Sequence, residues 1–117
     1  MNLYLASAQA GNCASLEKVV KELSQKHIVF APYLAFYGSE TIISRRRIMN
    51  VCFWIIANWA DVFVTLGEGV ESKGMTQETS WAGIRGIPTF RLSKMQPLAN
   101  LSERLDELQK NPRNSKS

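Results

Sequence analysis

The chain is poor in the residues that metal centres and disulfide frameworks need. It has two cysteines, Cys13 and Cys52, and one histidine, His27, among 117 residues. The cysteines stand alone without CxxC spacing, which argues against a cysteine-ligated zinc site and a stapled secreted scaffold. A reducing, cytoplasmic setting is expected instead. No metal and no cofactor is expected. Long apolar runs are scarce too. The longest, Ile48 to Ala60, has only Asn50 and Asn58 as polar residues, yet it is 13 residues long, and a bilayer span needs about 20. A membrane partner is therefore rejected. Such a helix is expected to be buried on several sides, one of them against a second subunit. Asn2 leads at once into a short strand pattern, with no basic segment or signal-type apolar run before it.

The excess of positive charge is small. Fourteen Lys and Arg against ten Asp and Glu give +4, and Lys110, Arg113 and Lys116 lie in the closing polar stretch, so 4 − 3 leaves about +1 elsewhere. That argues against a nucleic-acid partner. With 45% hydrophobic residues the chain can build a real core. One domain over 1–110 and a polar tail over 111–117 are expected.

Element order follows from periodicity. Leu3 to Ser7 reads as a strand, and Leu16, Val19, Val20 and Leu23 follow at helical spacing. Ile28–Phe30 reads as a second strand closed by Pro32, with Tyr33 to Ser39 as a loop bordering the site. A helix over about Ser44–Trp59 leads to the strand Val62–Leu66. A glycine-bearing loop, Gly67 to Gly74, opens a helix that carries Glu78 and ends at Gly86. Pro88–Phe90 is a fourth strand, and Leu98, Leu101, Leu105 and Leu108 mark a last amphipathic helix. Alternating strands and helices predict an α/β domain: a Rossmann-like three-layer sandwich with a four- or five-stranded parallel sheet.

In such sheets ligands bind beyond the carboxyl ends of the strands. The first-strand end (Ser7 to Gly11) and the third-strand end (Gly67 to Gly74) should therefore converge on the start of the Glu78 helix. The stretch Glu71 to Thr79 places loop N–H groups and the positive end of a helix dipole beside one carboxylate. That combination suits a nucleotide or sugar ligand. Arg47, Asn50, Trp54 and Asn58 form one stripe at i, i+3, i+7 and i+11. Arg45–Arg47 otherwise reads as a solvated helix face, His27 as structural, and Trp54, Trp59 and Trp81 as packing or interface residues.

Tyr4-Leu5-Ala6-Ser7 through Gly11, Ala60-Asp61-Val62-Phe63-Val64, Ser72-x-Gly74-x-x-x-Glu78 and Ala82-x-x-x-Gly86-Ile87-Pro88 together resemble the nucleoside 2-deoxyribosyltransferase-like superfamily over most of residues 2–92. The resemblance is strongest to small phage and bacterial members, and next to the deoxynucleoside 5'-monophosphate N-glycosidases. It implies that Glu78 attacks the anomeric carbon of the sugar and that Tyr4 orients it. It also implies that Ser72, with the loop N–H groups, holds a 5'-phosphate, and that Gly11 lets the first loop approach the ligand. Ser7, Gly74, Met75, Asn50 and Arg47 complete the expected ligand-binding set. The family aspartate that assists the leaving base is expected eight residues before Asp61, where this chain has Phe53. Two readings result. One is an N-glycosidase or deoxyribosyltransferase-like hydrolase. The other is a homo-oligomeric protein that binds a nucleoside, a nucleotide or a nucleotide-derived signal without turnover.

Overall fold

The computed structural model describes residues 1–7, 13–36, 42–66, 73–92 and 98–110. Four strands, β1 (Asn2–Ser7), β2 (Ile28–Phe30), β3 (Val62–Leu66) and β4 (Thr89–Leu92), form one sheet in the order β2-β1-β3-β4. All three pairings are parallel. The helices are α1 (Cys13–Leu23), α2 (Pro32–Ala35), α3 (Ile42–Asn58), α4 (Lys73–Ile84) and α5 (Leu98–Lys110). Among the described residues no helix is long and apolar enough to cross a membrane.

Alternation along the strands builds two cores, one on each face. Leu3 and Leu5 of β1 and Val62 and Val64 of β3 pack with Leu16 and Leu23 of α1 and Leu101 and Leu105 of α5. Tyr4 and Ala6, with Phe63, turn to the other face and pack with Cys52 and Ile56 of α3 and Met75 and Ala82 of α4. The result is three layers, α/β/α. The chain steps from β1 to β2 in one direction and from there to β3 and β4 in the other. Right-handed crossovers therefore put α1 on one face and α3 and α4 on the opposite one. The reversal falls between β1 and β3, whose carboxyl ends are paired at Ser7 and Leu66. That is the switch point where ligands enter doubly wound sheets.

Several boundaries differ from the sequence reading. The segment expected as a loop from Tyr33 begins with the helical turn α2, because Pro32 stands at a helix start, where its missing N–H removes no bond, and the Leu34, Ala35 and Phe36 amides return to Ala31 and Pro32. Helix α3 starts at Ile42, earlier than Ser44, and β4 runs on to Leu92. The sheet has four strands among the described residues. The tail over 111–117 lies outside them.

At the amino edge, the Asn2 amide donates to Asp61 Oδ2 at 2.9 Å, its side-chain amide donates to the Trp59 carbonyl at 3.0 Å, and the Asp61 amide returns a bond to the Asn2 carbonyl. The Ala60-Asp61 motif thus ties the start of β3 to the start of β1. It does so at the edge opposite the carboxyl ends of the strands.

Helix α4 ends in a Schellman cap. The Ile87 amide bonds to the Ala82 carbonyl at 3.0 Å and the Gly86 amide to the Gly83 carbonyl at 3.1 Å, with Gly86 at φ 72°. A Cβ at Gly86 meets no atom within 4 Å, so the conformation alone requires glycine there. Gly86→Ala is expected to destabilise by about 1 kcal/mol, a fall in melting temperature of roughly 4–8 °C. Gly83→Ala, also in open space but inside the helix, should leave the melting temperature unchanged or raise it.

Candidate active site: a buried tyrosine–glutamate pair

Tyr4 is fully buried in the middle of β1. Its ring stacks on Phe63 of the neighbouring strand, with centroids 5.4 Å apart and planes 14° apart, and it touches Phe30 of β2 at 5.7 Å. Phe30 in turn meets Phe36 and Trp59 edge-on. This aromatic nest fixes the ring and leaves the hydroxyl one direction in which to reach, towards α4. There it donates a hydrogen bond to Glu78 Oε2. Glu78 is only 8% exposed.

Glu78 reaches the interior because one face of α4 is aimed at the sheet. Gly74, Met75, Glu78, Trp81 and Ala82 recur at three- and four-residue spacing along it. Met75 and Ala82 are buried. Gly74 lies so close to α3 that a Cβ there would stand 3.3 Å from Met49 Cε, so the glycine lets the first turn of α4 approach its neighbour. One further turn along from Glu78, the Trp81 indole N–H donates to the Phe53 carbonyl at 3.0 Å, and the two rings lie 5.7 Å apart. The Phe53 ring therefore packs against Trp81. Phe53 offers no group that transfers a proton.

Burial sets the electrostatics. Loss of solvation raises the Glu78 carboxyl from its ordinary value of 4.5 to about 7, with the Tyr4 hydrogen bond pulling the other way. Burial and the Glu78 charge hold the Tyr4 hydroxyl far above its usual range. Tyr4 is a fixed neutral donor across all working pH.

Tyr4 and Glu78, the two predicted catalytic residues, are thus in direct contact. Gly74 and Met75 lie within one turn of Glu78 on the same face. Ser7 follows the alternation of β1 onto the α1/α5 face, and its hydroxyl is buried without a hydrogen-bond partner among the described residues. Arg47 and Asn50, with Trp54 and Asn58, are exposed on the outer side of α3. Asn50 stands two residues from the buried Cys52, about 200° around the helix. Gly11 and Ser72 lie outside the described residues. Two residues gained no role in the sequence reading. Thr65 is a buried polar residue on the Tyr4 face of β3, paired with Ala6 two residues nearer the carboxyl edge than the Tyr4–Phe63 pair. Cys52 is a buried thiol of α3 in the same cluster as Tyr4. The i±4 spacing of Cys52 with Ile48 and Ile56 was the available signal that this thiol faces inward.

The sequence matches no family model and no curated protein at a significant level. The fold does find a match. It is similar to the structure of a 2-deoxyribosyltransferase from Bacillus psychrosaccharolyticus, with a TM-score of 0.61 over 78% of this chain and 71% of that one, at 22% identity. The fold is therefore the one that the motifs resembling the nucleoside 2-deoxyribosyltransferase-like superfamily implied.

Glu78 binds its proton more tightly in the folded chain than in the unfolded one. Its contribution to stability is therefore fully present below pH of about 4.5, where both states are protonated, and is lost as pH rises through about 7. The loss amounts to about 3 kcal/mol at most, at 1.36 kcal/mol per pH unit. Urea denaturation at several pH values should show Glu78→Gln gaining on the wild type between acidic and mildly alkaline solution. A constant difference between the two would show that Glu78 is not held neutral by burial.

Proposed function

We propose that the protein binds a nucleoside or nucleotide at the carboxyl edge of β1 and β3 and cleaves or transfers at its N-glycosidic bond, with Glu78 as nucleophile. The observation that carries this reading is the buried hydrogen bond from Tyr4 to Glu78, the only carboxylate among the described buried residues, on a fold shared with a 2-deoxyribosyltransferase. As the base departs, the anomeric carbon becomes oxocarbenium-like, and a carboxylate beside it traps that centre as a glycosyl ester. Tyr4 orients one carboxylate oxygen and leaves the other to attack. Water or a second base then resolves the ester. Since only ionised Glu78 attacks, turnover should rise with pH through about 7.

A second reading is favoured by one specific feature. Phe53, where the resemblance places a proton donor, is packed against Trp81 and carries no acid. A protein that holds the nucleotide or a nucleotide-derived signal without turnover needs the fold and a binding site but no leaving-group acid. Both readings meet in one experiment: incubation with a panel of nucleosides and their 5'-monophosphates, with mass spectrometry of released bases and retained ligands. For the enzyme, Glu78→Gln should lower base release by on the order of 10³-fold or more while leaving ligand binding largely intact. For the binder, wild type returns the ligand unchanged on denaturation. Robust base release that survives Glu78→Gln would defeat both.

A second copy of the chain is the proposed partner for α3. Trp54 and Val51 are 63% and 46% exposed on its outer side, a large apolar surface for a single helix to leave in water. Light scattering should find a dimer or larger assembly, reduced to monomer by Trp54→Glu. A wild-type monomer at high micromolar concentration would contradict this.

A further inference from the structure

A buried carboxylate needs a counter-charge, or it holds its proton. Glu78 receives one neutral donor, the Tyr4 hydroxyl. Burial and that hydrogen bond are the influences on its carboxyl among the described residues, and no cation offsets the cost of burial. The cluster of Tyr4 on this face consists of Ala6, Cys52, Ile56, Phe63, Met75 and Ala82, and none of them is a cation. With its titration centred at about 7, the carboxyl is short of one positive charge.

The same surroundings are short of an acid. When a neutral nucleobase leaves a sugar, the electron pair of the broken bond stays on the ring nitrogen, and the anion so formed needs a proton. Besides Glu78, the buried side chains of this face that carry an O–H or S–H are Tyr4, Cys52 and Thr65. Tyr4 already donates to Glu78 and is held far above its usual range. Burial pushes the Cys52 thiol up to about 11, and a threonine hydroxyl is a weaker acid still. Phe53 adds only a ring packed on Trp81.

A fixed positive charge on the base meets both shortages, as counter-ion to the carboxylate and as a leaving group that needs no proton. Building on the N-glycosidic role proposed for Glu78, we infer that the substrate is a nucleoside or nucleotide of a cationic base, a quaternised purine or a pyridinium. Binding of the cation favours ionised Glu78, so the substrate prepares its own nucleophile. A carboxylate oxygen bonds to the anomeric carbon as the C–N bond breaks, and the pair from that bond cancels the charge on the ring nitrogen. The base leaves neutral. Water then attacks the anomeric carbon, the ester C–O bond breaks with its pair returning to Glu78, and one proton of the water passes to solvent.

A matched pair of nucleotides tests the choice of base. Guanosine 5'-monophosphate and its 7-methyl derivative differ by one methyl group, which fixes a positive charge on the base. Base release above the background of Glu78→Gln should be faster for the methylated nucleotide by on the order of 10²–10⁴-fold, the usual contribution of a general acid. Nicotinamide mononucleotide, a pyridinium, should be cleaved as well. If the neutral nucleotide is cleaved as fast as the cationic ones, Glu78 stands as nucleophile and the inference is overturned. If none of the three is cleaved, the catalytic reading fails and the inference fails with it. A second measurement, without turnover, reads the charge alone. The Glu78 midpoint, followed by carboxyl ¹³C NMR, should fall by about one pH unit or more in saturating N1-methylnicotinamide, as a cation within about 4–6 Å requires. Nicotinamide, its neutral counterpart, should leave the midpoint at about 7. A midpoint that both leave in place, or that both move alike, overturns the inference even where a nucleotide is cleaved.

Discussion

A carboxylate taken out of water must find a donor, and the rest of this fold is arranged around that requirement at Glu78. The donor is Tyr4, and its hydroxyl can serve only because the ring is clamped between Phe63 and Phe30 in the middle of the sheet. Even so, burial outweighs the hydrogen bond, and the carboxyl stays raised to about 7. A side chain that is nearly neutral at rest and ionises near physiological pH is poised for chemistry and is poor at stabilising a fold. A core of this size would be more stable with an apolar residue there.

The topology determines where that group can act. The β2-β1-β3-β4 order places the reversal of direction between β1 and β3, so α3 and α4 both descend on the face that carries Tyr4. Beyond Tyr4 and Phe63, the next pair on the same face towards the carboxyl edge is Ala6 with Thr65, one small and one polar. The first turn of α4 carries Gly74, where a Cβ would stand 3.3 Å from Met49 Cε of α3. Bulk and apolar packing thus lie at the amino edge, where Asn2 and Asp61 tie the strands together. On this face, small and polar groups lie towards the carboxyl ends of the strands.

Much of this was legible in the sequence. Helices α1 and α5 present leucines and valines at regular helical spacing, β1 and β3 are short apolar runs, and Gly86 announces the end of α4. The pairing of Tyr4 with Glu78, 74 residues apart, became legible only through the order and spacing of four motifs together. Other features were not. Helix α3 is apolar on nearly every side, so its inward face is not distinguished by hydropathy: the Arg47–Asn50–Trp54–Asn58 stripe is a true helical stripe, and it is the exposed one. The inward place of Cys52 is not legible because an isolated cysteine in an apolar helix looks like filler. Helix α2 was hidden by Pro32, which ends a strand and starts a helix with equal ease.

The claim on which the account rests is that Glu78 attacks the sugar carbon. A 2-deoxy-2-fluoro nucleoside 5'-monophosphate tests it most directly, because the electron-withdrawing fluorine destabilises the oxocarbenium-like transition states and slows release of a glycosyl ester once it has formed. Intact-mass spectrometry followed by peptide mapping should find one glycosyl adduct per chain on the peptide containing Glu78, and none in Glu78→Gln. An adduct on a different residue would contradict the account, as would an unmodified chain from which the analogue is recovered whole.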